Sequence, residues 1–383
     1  VKGTRMEPRR YSGNSHWYHE TQASYRAEQA PPLYPEAARA DDRFLLGLQQ
    51  QGDALAPLFH HFRQTLQAGQ ALSLLLLPDS VTPTLTHTLT LYDKLATALT
   101  VAQVNNIQRL CNHYAARLNP LSGPDSSRES NNRLTQMTQF ARQLASQPAV
   151  IDAAALQRLD EVGLTAPDIV TICQIIGFVS AQARVAAGVQ AMIGLPVCWL
   201  PGLNEMIDAE AQRFATQRAW RPRLPPLERR YASPQQLAAI EAAQESCALT
   251  EMAWLLAWDE QALRVWSDWH STLSPATDLE RLAQAVAARI NGSTLCFESY
   301  RGPYADELRQ GVEHALNACR REPLMQALIP FAAQLTRAPD RLSAAHLQPL
   351  LAQGVSQQQL FALVLRVALA GWNNRLVQAL GEH

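Results

Sequence analysis

RLDEVGLTAPDIVTICQIIGFVSAQARVAAGVQ, residues 158–190, is the stretch that decides the fold. It aligns without a gap on LLAQGVSQQQLFALVLRVALAGWNNRLVQALG, which begins at Leu350. Gly163 falls on Gly354, Thr165 on Ser356 and Arg184 on Arg375. A Gly followed by Thr or Ser reads as a helix stop and then an N-cap, because Gly tolerates the left-handed conformation and a hydroxyl accepts from the first free N–H groups. The correspondence therefore has a physical meaning beyond residue identity. Upstream, DKLATALTVAQVNN (93–106) resembles ERLAQAVAARINGS (280–293), each followed within a few residues by a cysteine, Cys111 and Cys296. The order helix, cysteine, loop, helix, Gly-Thr/Ser, Arg-bearing helix thus occurs twice, which predicts a duplicated all-α protein.

Composition agrees with that reading. The 383 residues are 47% hydrophobic, enough for two cores, and only 17 are Gly. Ala, Leu and Gln are abundant, and long Val/Ile/Thr alternations are absent. Apolar residues recur at three- and four-residue spacing from about 40 to 200 and again from about 235 to the end. The expected organisation is an N-terminal arm over 1–40, a first helical domain over 41–200, a linker over 201–234 and a second helical domain over 235–383. NPLSGPDSSRESNN (119–132) is dense in helix breakers and reads as a loop inside the first domain.

Charge excludes some partners. With 33 basic against 34 acidic residues there is no overall electrostatic footprint for nucleic acid or an anionic membrane. The one basic stretch, RAWRPRLPPLERR (218–230), carries three prolines and reads as linker. No apolar run stands out as the roughly 18 residues that span a bilayer, since LSLLLL (72–77) is far too short. Met6 is the expected start, with no export signal. The six cysteines (Cys111, Cys173, Cys198, Cys247, Cys296, Cys319) lie at no framework spacing and read as reduced thiols, so a cytoplasmic location is expected.

The stretch closest to chemistry is INGSTLCFESYRG (290–302), at the end of the helix-like run DLERLAQAVAARI. These residues, with EMAWLLAWDEQALRVWSDWH (251–270) before them, resemble the alkylhydroperoxidase D-like, or carboxymuconolactone decarboxylase, family. In that family a Glu-bearing helix leads to Asn-Gly-Cys-x-x-Cys, and a His follows the second Cys by four residues. Asn291 and Gly292 stand in place, Ser293 replaces the first Cys, Cys296 is the second, and Tyr300 holds the His position. Glu280 lies one residue further from the motif than the family's relay Glu. The resemblance covers 250–380 well and 50–195 more weakly. It implies tandem alkylhydroperoxidase D-like domains, a homo-oligomeric assembly, and a thiol-dependent, peroxidase-like oxidoreductase. A peroxide or other small molecule would be the substrate and a thiol the reductant, with no cofactor. Decarboxylation of a lactone, as in other members, has no residue support here.

Several residues carry two readings. Cys296 is a nucleophile or a packed helix-end cysteine, and Glu298 and Tyr300 supply a proton and a hydrogen bond or are exposed helix residues. Cys111 with His113, in QRLCNHYAARL (108–118), is the other thiol pair, but side chains two apart on a helix do not face each other. Direct activation there needs an irregular turn. Cys173 lies in an apolar run and reads as core. Arg184 and Arg375 are expected to pin helices or an interface through carboxylate pairs. Trp254, Trp258, Trp266 and Trp269 share much of one helical face, which fits a core, a subunit contact or an aromatic pocket. HWYHETQ (16–22) has two His beside a Glu, yet no further ligand cluster completes a metal site, and it reads as part of a docking arm. The rival to an enzyme is a non-catalytic binding or assembly protein.

Overall fold

The structure, a computed structural model, describes residues 41–197, 205–216, 219–246 and 252–382. The arm over 1–40 with its HWYHETQ stretch, and Cys198 and Cys247, fall outside the described residues. Within them the protein is all-α. The strand content there is a single two-residue pair, β1 (Arg221–Pro222) antiparallel to β2 (Gly381–Glu382).

The helices, in chain order, are α1 (Ala56–His61), α2 (Arg63–Leu76), α3 (Leu91–Asn105), α4 (Gln108–Leu118), α5 (Arg128–Ser146), α6 (Ala153–Glu161) and α7 (Ala166–Ile193). After a strap whose described parts hold two 3₁₀ turns and no α-helix come α8 (Pro234–Ser246), α9 (Glu260–Ser271), α10 (Asp278–Asn291), α11 (Thr294–Glu298), α12 (Ala305–Gln310), α13 (Val312–Ala318), α14 (Pro323–Arg337), α15 (Ala344–Ala352) and α16 (Gln357–Leu380). Four of these starts are set by capping boxes. Thr90 with Asp93 closes a capping box on α3, and Thr277 with Glu280 does so on α10. Thr165 with Asp168 opens α7, and Ser356 with Gln359 opens α16. Each box satisfies two backbone donors that a helix start otherwise leaves bare.

Some local features recur in the two halves, though the single helix α4 stands in the first where α11, α12 and α13 stand in the second. A three-residue 3₁₀ turn over Pro148–Val150 precedes α6, and another over Pro339–Arg341 precedes α15, 191 residues on (Pro148 to Pro339). Gly163 (φ 87°) and Gly354 (φ 82°) turn the chain in the left-handed region before each long helix. Asn106 (φ 52°) ends α3 in that conformation and Gly292 (φ 79°) ends α10.

The long helices α7 and α16 lie along each other at the centre, with α3 and α5 flanking α7, and α10 and α14 flanking α16. Their close approach depends on missing side chains. A Cβ on Gly177 would sit 2.0 Å from Trp372 Cδ1, and one on Gly188 would sit 2.5 Å from a Val364 methyl. Trp372 in turn donates its indole N–H to Gln174 at 2.9 Å. One apolar cluster runs through both halves. Both central helices are long and apolar enough to cross a membrane, contrary to the sequence reading that no such run exists. The most apolar window of α7 is wholly buried within the protein, and that of α16 is 83% buried.

Two further expectations change. Arg184 and Arg375 are buried but pair with no carboxylate among the described residues; Arg184 donates to the Ser180 and Thr336 carbonyls and to Asn105 Oδ1, and Arg375 to the Gly371 and Ala145 carbonyls. The tryptophan-rich stretch is not one helix. A short helix over Ala253–Leu256 and a 3₁₀ turn come first, and Asp259 then caps α9 by accepting from the Ala262 N–H. Trp266 and Trp269 enter the core, Trp269 beside Trp372 (centroids 5.5 Å) and Phe44 (6.0 Å). Trp258 instead donates to the Pro225 carbonyl at 2.9 Å.

That last bond belongs to the segment expected as a linker, whose described parts are fastened along the body. The Ala209 N–H donates to the Ile290 carbonyl at 2.9 Å, and Arg213 reaches the Ala149 carbonyl at 2.6 Å. Trp220 donates to the Val377 carbonyl (3.1 Å), and the Arg223 N–H to that of Leu380 (2.8 Å).

Candidate functional site

Helix α10 ends in a left-handed Gly292, and the Ser293 N–H returns to the Ala288 carbonyl at 3.0 Å. Only Gly fits this position twice over: its φ is positive, and a Cβ would lie 2.8 Å from the Ala149 Cβ and 2.9 Å from that of Ala209. The chain then enters α11, which carries Cys296 in partly exposed surroundings. This corner is fastened to α16. Asn291 donates its amide to Asn374 Oδ1 at 2.9 Å, and Gln378 donates to the Gly292 carbonyl.

Around the thiol the polar groups are buried and incompletely paired. Asn291, Ser293 and Asn374 are each no more than 1% exposed. Ser293 Oγ, Thr294 Oγ1, Asn291 Oδ1 and Asn374 Nδ2 find no nitrogen or oxygen partner among the described residues. Burial pushes the Cys296 thiol up from its ordinary value, while the Ser293 hydroxyl and the Asn374 amide beside it pull it back down. Burial thus opposes ionisation of Cys296, and the two donors at its sulfur favour it.

The other predicted residues are engaged elsewhere. Glu280 sits in the first turn of α10, eleven residues and so about 16 Å of helix rise from Asn291. Its carboxylate accepts from the Thr277 N–H at 3.2 Å and pairs with Arg366 at 3.0 Å. Glu298 is not an exposed helix residue; it pairs with Arg309 and, at 3.3 Å, with Arg301. Arg309 also donates to the Phe214 carbonyl, so Glu298 ties α11 to α12 and to the strap. Tyr300 is 8% exposed and lies just beyond α11, donating its hydroxyl to the Pro303 carbonyl at 2.8 Å. Its ring covers Gly302, where a Cβ would lie 2.5 Å from the phenol oxygen. Burial first, then the Asp278 carboxylate, pushes this phenol up to about 12, which suits a loop anchor and not a proton donor.

Cys111 and His113 share the helix α4, in which the Cys111 N–H bonds regularly to the Ile107 carbonyl at 3.1 Å. No irregular turn brings the imidazole round to the thiol. Burial pushes Cys111 up to about 12. His113 is 1% exposed and lies edge-on to Tyr114, ring centroids 5.1 Å apart. Counted from the left-handed helix stops, Cys111 is five residues beyond Asn106 and Cys296 four beyond Gly292, so the two thiols are out of step by one. Cys173 is fully buried, as expected of core. Cys319 is buried too and receives a hydrogen bond from Gln326 at 3.2 Å. All four described cysteines are free thiols.

The residues missed in the sequence are Asn374 and Gln378, which close the corner on Asn291 and Gly292. A signal for the first was available: Ala183 in α7 corresponds to Asn374 in α16, an amide inserted into an apolar helix. A cavity of about 390 Å³ opens far from these residues in sequence, at the start of α3 and α5, lined by Thr90, Asp93, Ser122, Ser130 and Arg133 among others. Among the described residues, no group of three His, Cys, Asp or Glu side chains is placed to hold a metal. No protein-family model and no curated protein matches this chain.

Proposed function

We propose that the protein is a thiol-dependent, peroxidase-like oxidoreductase working through a one-cysteine cycle at Cys296. The observation that carries this reading is the partly exposed Cys296 beside a buried Ser293 hydroxyl and Asn374 amide that have no other acceptor. A peroxide takes two electrons from the thiolate to give a sulfenic acid, and a small thiol is the reductant because Ser293 stands where a resolving thiol would be. The recurrence of elements 191 residues apart, Pro148 to Pro339, supports a duplicated alkylhydroperoxidase D-like ancestry. Free thiols fit a cytoplasmic location. A homo-oligomer now rests on the family resemblance alone, since Trp266 and Trp269 are buried within the chain.

The second reading, a binding or assembly protein, is favoured by Glu280, Glu298 and Tyr300 all being spent on structural contacts. Peroxide consumption by the full chain in the presence of a small thiol separates the two. Activity lost in Cys296→Ala supports the oxidoreductase; consumption indifferent to that change supports a scaffold.

A further inference from the structure

The Cys296 corner holds two donors whose one acceptor, the resting thiol, is a weak one. A thiol is a weak acceptor, yet Ser293 Oγ and Asn374 Nδ2, both buried, find no partner but that sulfur among the described residues. Native folds leave few buried polar groups unpaired, and each such group asks for an explanation. Asn374 is also oriented. Its Oδ1 accepts from Asn291 at 2.9 Å, which turns Nδ2 to the opposite side, and Gln378 one turn further holds the Gly292 carbonyl. The corner is thus rigid, and the second base usual for an activated thiol is missing from it.

We propose that Asn374 and Ser293 form a two-donor cradle for an oxygen bound to the Cys296 sulfur, so that the site retains a sulfenate made from a hydroperoxide and acts as a peroxide-responsive switch. The proposal rests on the reading that Cys296 reacts with peroxides, and adds what happens next. The sulfur of the thiolate attacks the distal peroxide oxygen; the S–O bond forms and the O–O bond breaks. Sulfur gives up two electrons, and the departing alkoxide or hydroxide takes a proton to leave as alcohol or water. Loss of the sulfenic proton to solvent leaves an oxyanion, whose lone pairs accept from Ser293 Oγ–H and Asn374 Nδ2–H together. A low-molecular-weight thiol ends the state by attacking the sulfur. An S–S bond forms, and the oxygen leaves as water with the proton of that thiol and one from solvent. A second thiol molecule then regenerates Cys296 and departs as the disulfide of the small thiol.

The experiment follows the full chain after a pulse of hydrogen peroxide, reading the gain of one oxygen at Cys296 by mass and the sulfenic acid by dimedone capture over time. Asn374→Leu removes the oriented donor, and Ser293→Ala removes the other with little change of volume. Each is expected to shorten the sulfenic lifetime about tenfold, the worth of one hydrogen bond to a charged group, and to pass the excess into sulfinic acid. Each is also expected to move the pH profile of Cys296 alkylation upward, which loss of packing alone does not do. If the native chain gains no oxygen at Cys296, the peroxide reading fails and the cradle with it. If oxygen is gained but the lifetime in Ser293→Ala and in folded Asn374→Leu equals that of the native chain, the cradle is overturned while the peroxide reading stands. Should Asn374→Leu fail to fold, the lifetime in Ser293→Ala decides.

Discussion

Arg184 and Arg375 make the same contact in opposite directions: Arg184 donates to the Thr336 carbonyl at 2.6 Å, and Arg375 donates to the Ala145 carbonyl at 2.6 Å. Thr336 and Ala145 are each the last residue but one of their helices, α14 and α5. A helix C-terminus carries partial negative charge and unpaired carbonyls, so each buried cation is met by a helix end where a carboxylate was expected. Burial lowers both guanidinium pKa values, Arg184 to about 10, and Arg184 lowers that of Arg375 further. The two therefore repel across the core while each holds the opposite half.

Repulsion within a clamp has a measurable signature. Arg184→Met and Arg375→Met are each expected to cost about 1–3 kcal/mol, by stranding buried carbonyls. Each single change also relieves the repulsion, and the double change can relieve it only once. The double variant should accordingly lose more than the sum of the singles, in a double-mutant cycle measured by urea unfolding. A cycle that closes to zero would show that the two arginines act independently.

Gly177→Ala tests the central contact. Its added methyl falls 2.0 Å from the Trp372 ring, which is itself hydrogen-bonded to Gln174 and unable to swing aside freely. Overpacking of this kind costs about 1–3 kcal/mol or more. Gly163→Ala, where nothing lies within 4 Å and only the positive φ objects, should cost about 1 kcal/mol. Thermal melts of the two variants should rank in that order.

Acid should weaken the fold through His270. Burial lowers its pKa to about 4, with Arg366 on α16 lowering it slightly more and the Asn373 side chain opposing. The native state then binds fewer protons than the unfolded chain, whose histidine titrates near 6.5. The contribution of His270 to stability is complete above about pH 6.5 and is lost as the pH falls toward 4, by at most about 3 kcal/mol. Asp340, raised by burial, works against this trend in acid. His270→Gln should flatten the pH dependence of unfolding free energy between those limits; an unchanged slope would assign acid sensitivity to other groups.

Thiol reactivity should follow the groups around each sulfur and not motif position alone. Cys111 and Cys296 are both partly exposed, but Cys111 is pushed up to about 12 and should resist iodoacetamide at neutral pH, while Cys296, flanked by two side-chain donors, should label first and faster as the pH rises. Ser293→Cys adds the missing thiol three residues before Cys296. Peroxide should then produce an intramolecular disulfide, seen as the loss of two hydrogens in the intact mass, and faster peroxide turnover with a dithiol. Labelling of Cys111 ahead of Cys296 would contradict the ranking.

The helical class was legible because its signals are local. Gly163 with Thr165, and Gly354 with Ser356, mark helix stops and starts by residue type, and the structure uses them so. The partners of Arg184 and Arg375 were not legible, because a backbone carbonyl has no residue type; any sequence can supply one. The strap was misread as a tether for the same reason, since Ala209 and Arg223 bond to main chain. The break at Asp259 was readable in principle, an Asp standing directly before the apolar periodicity of α9, but four tryptophans at helical spacing outweighed it. At the site, Cys296, Asn291, Gly292 and Ser293 were found through their adjacency along the chain. Asn374, some eighty residues away in α16, joins them only through the packing of α16 on α10 and α11.

The crossed arginine contacts also set a timetable for synthesis. Arg184 and its final carbonyl partner at Thr336 are 152 residues apart, and the Ala145 carbonyl waits 230 residues for Arg375. A nascent chain that has released α7 from the ribosome carries an apolar helix with a buried-type cation and no α16 to lie against. At a few to twenty residues per second that interval lasts on the order of ten seconds or more. Throughout it the half-made protein presents the face of α7 that α16 is built to cover, and that face closes only when α14 and α16 emerge.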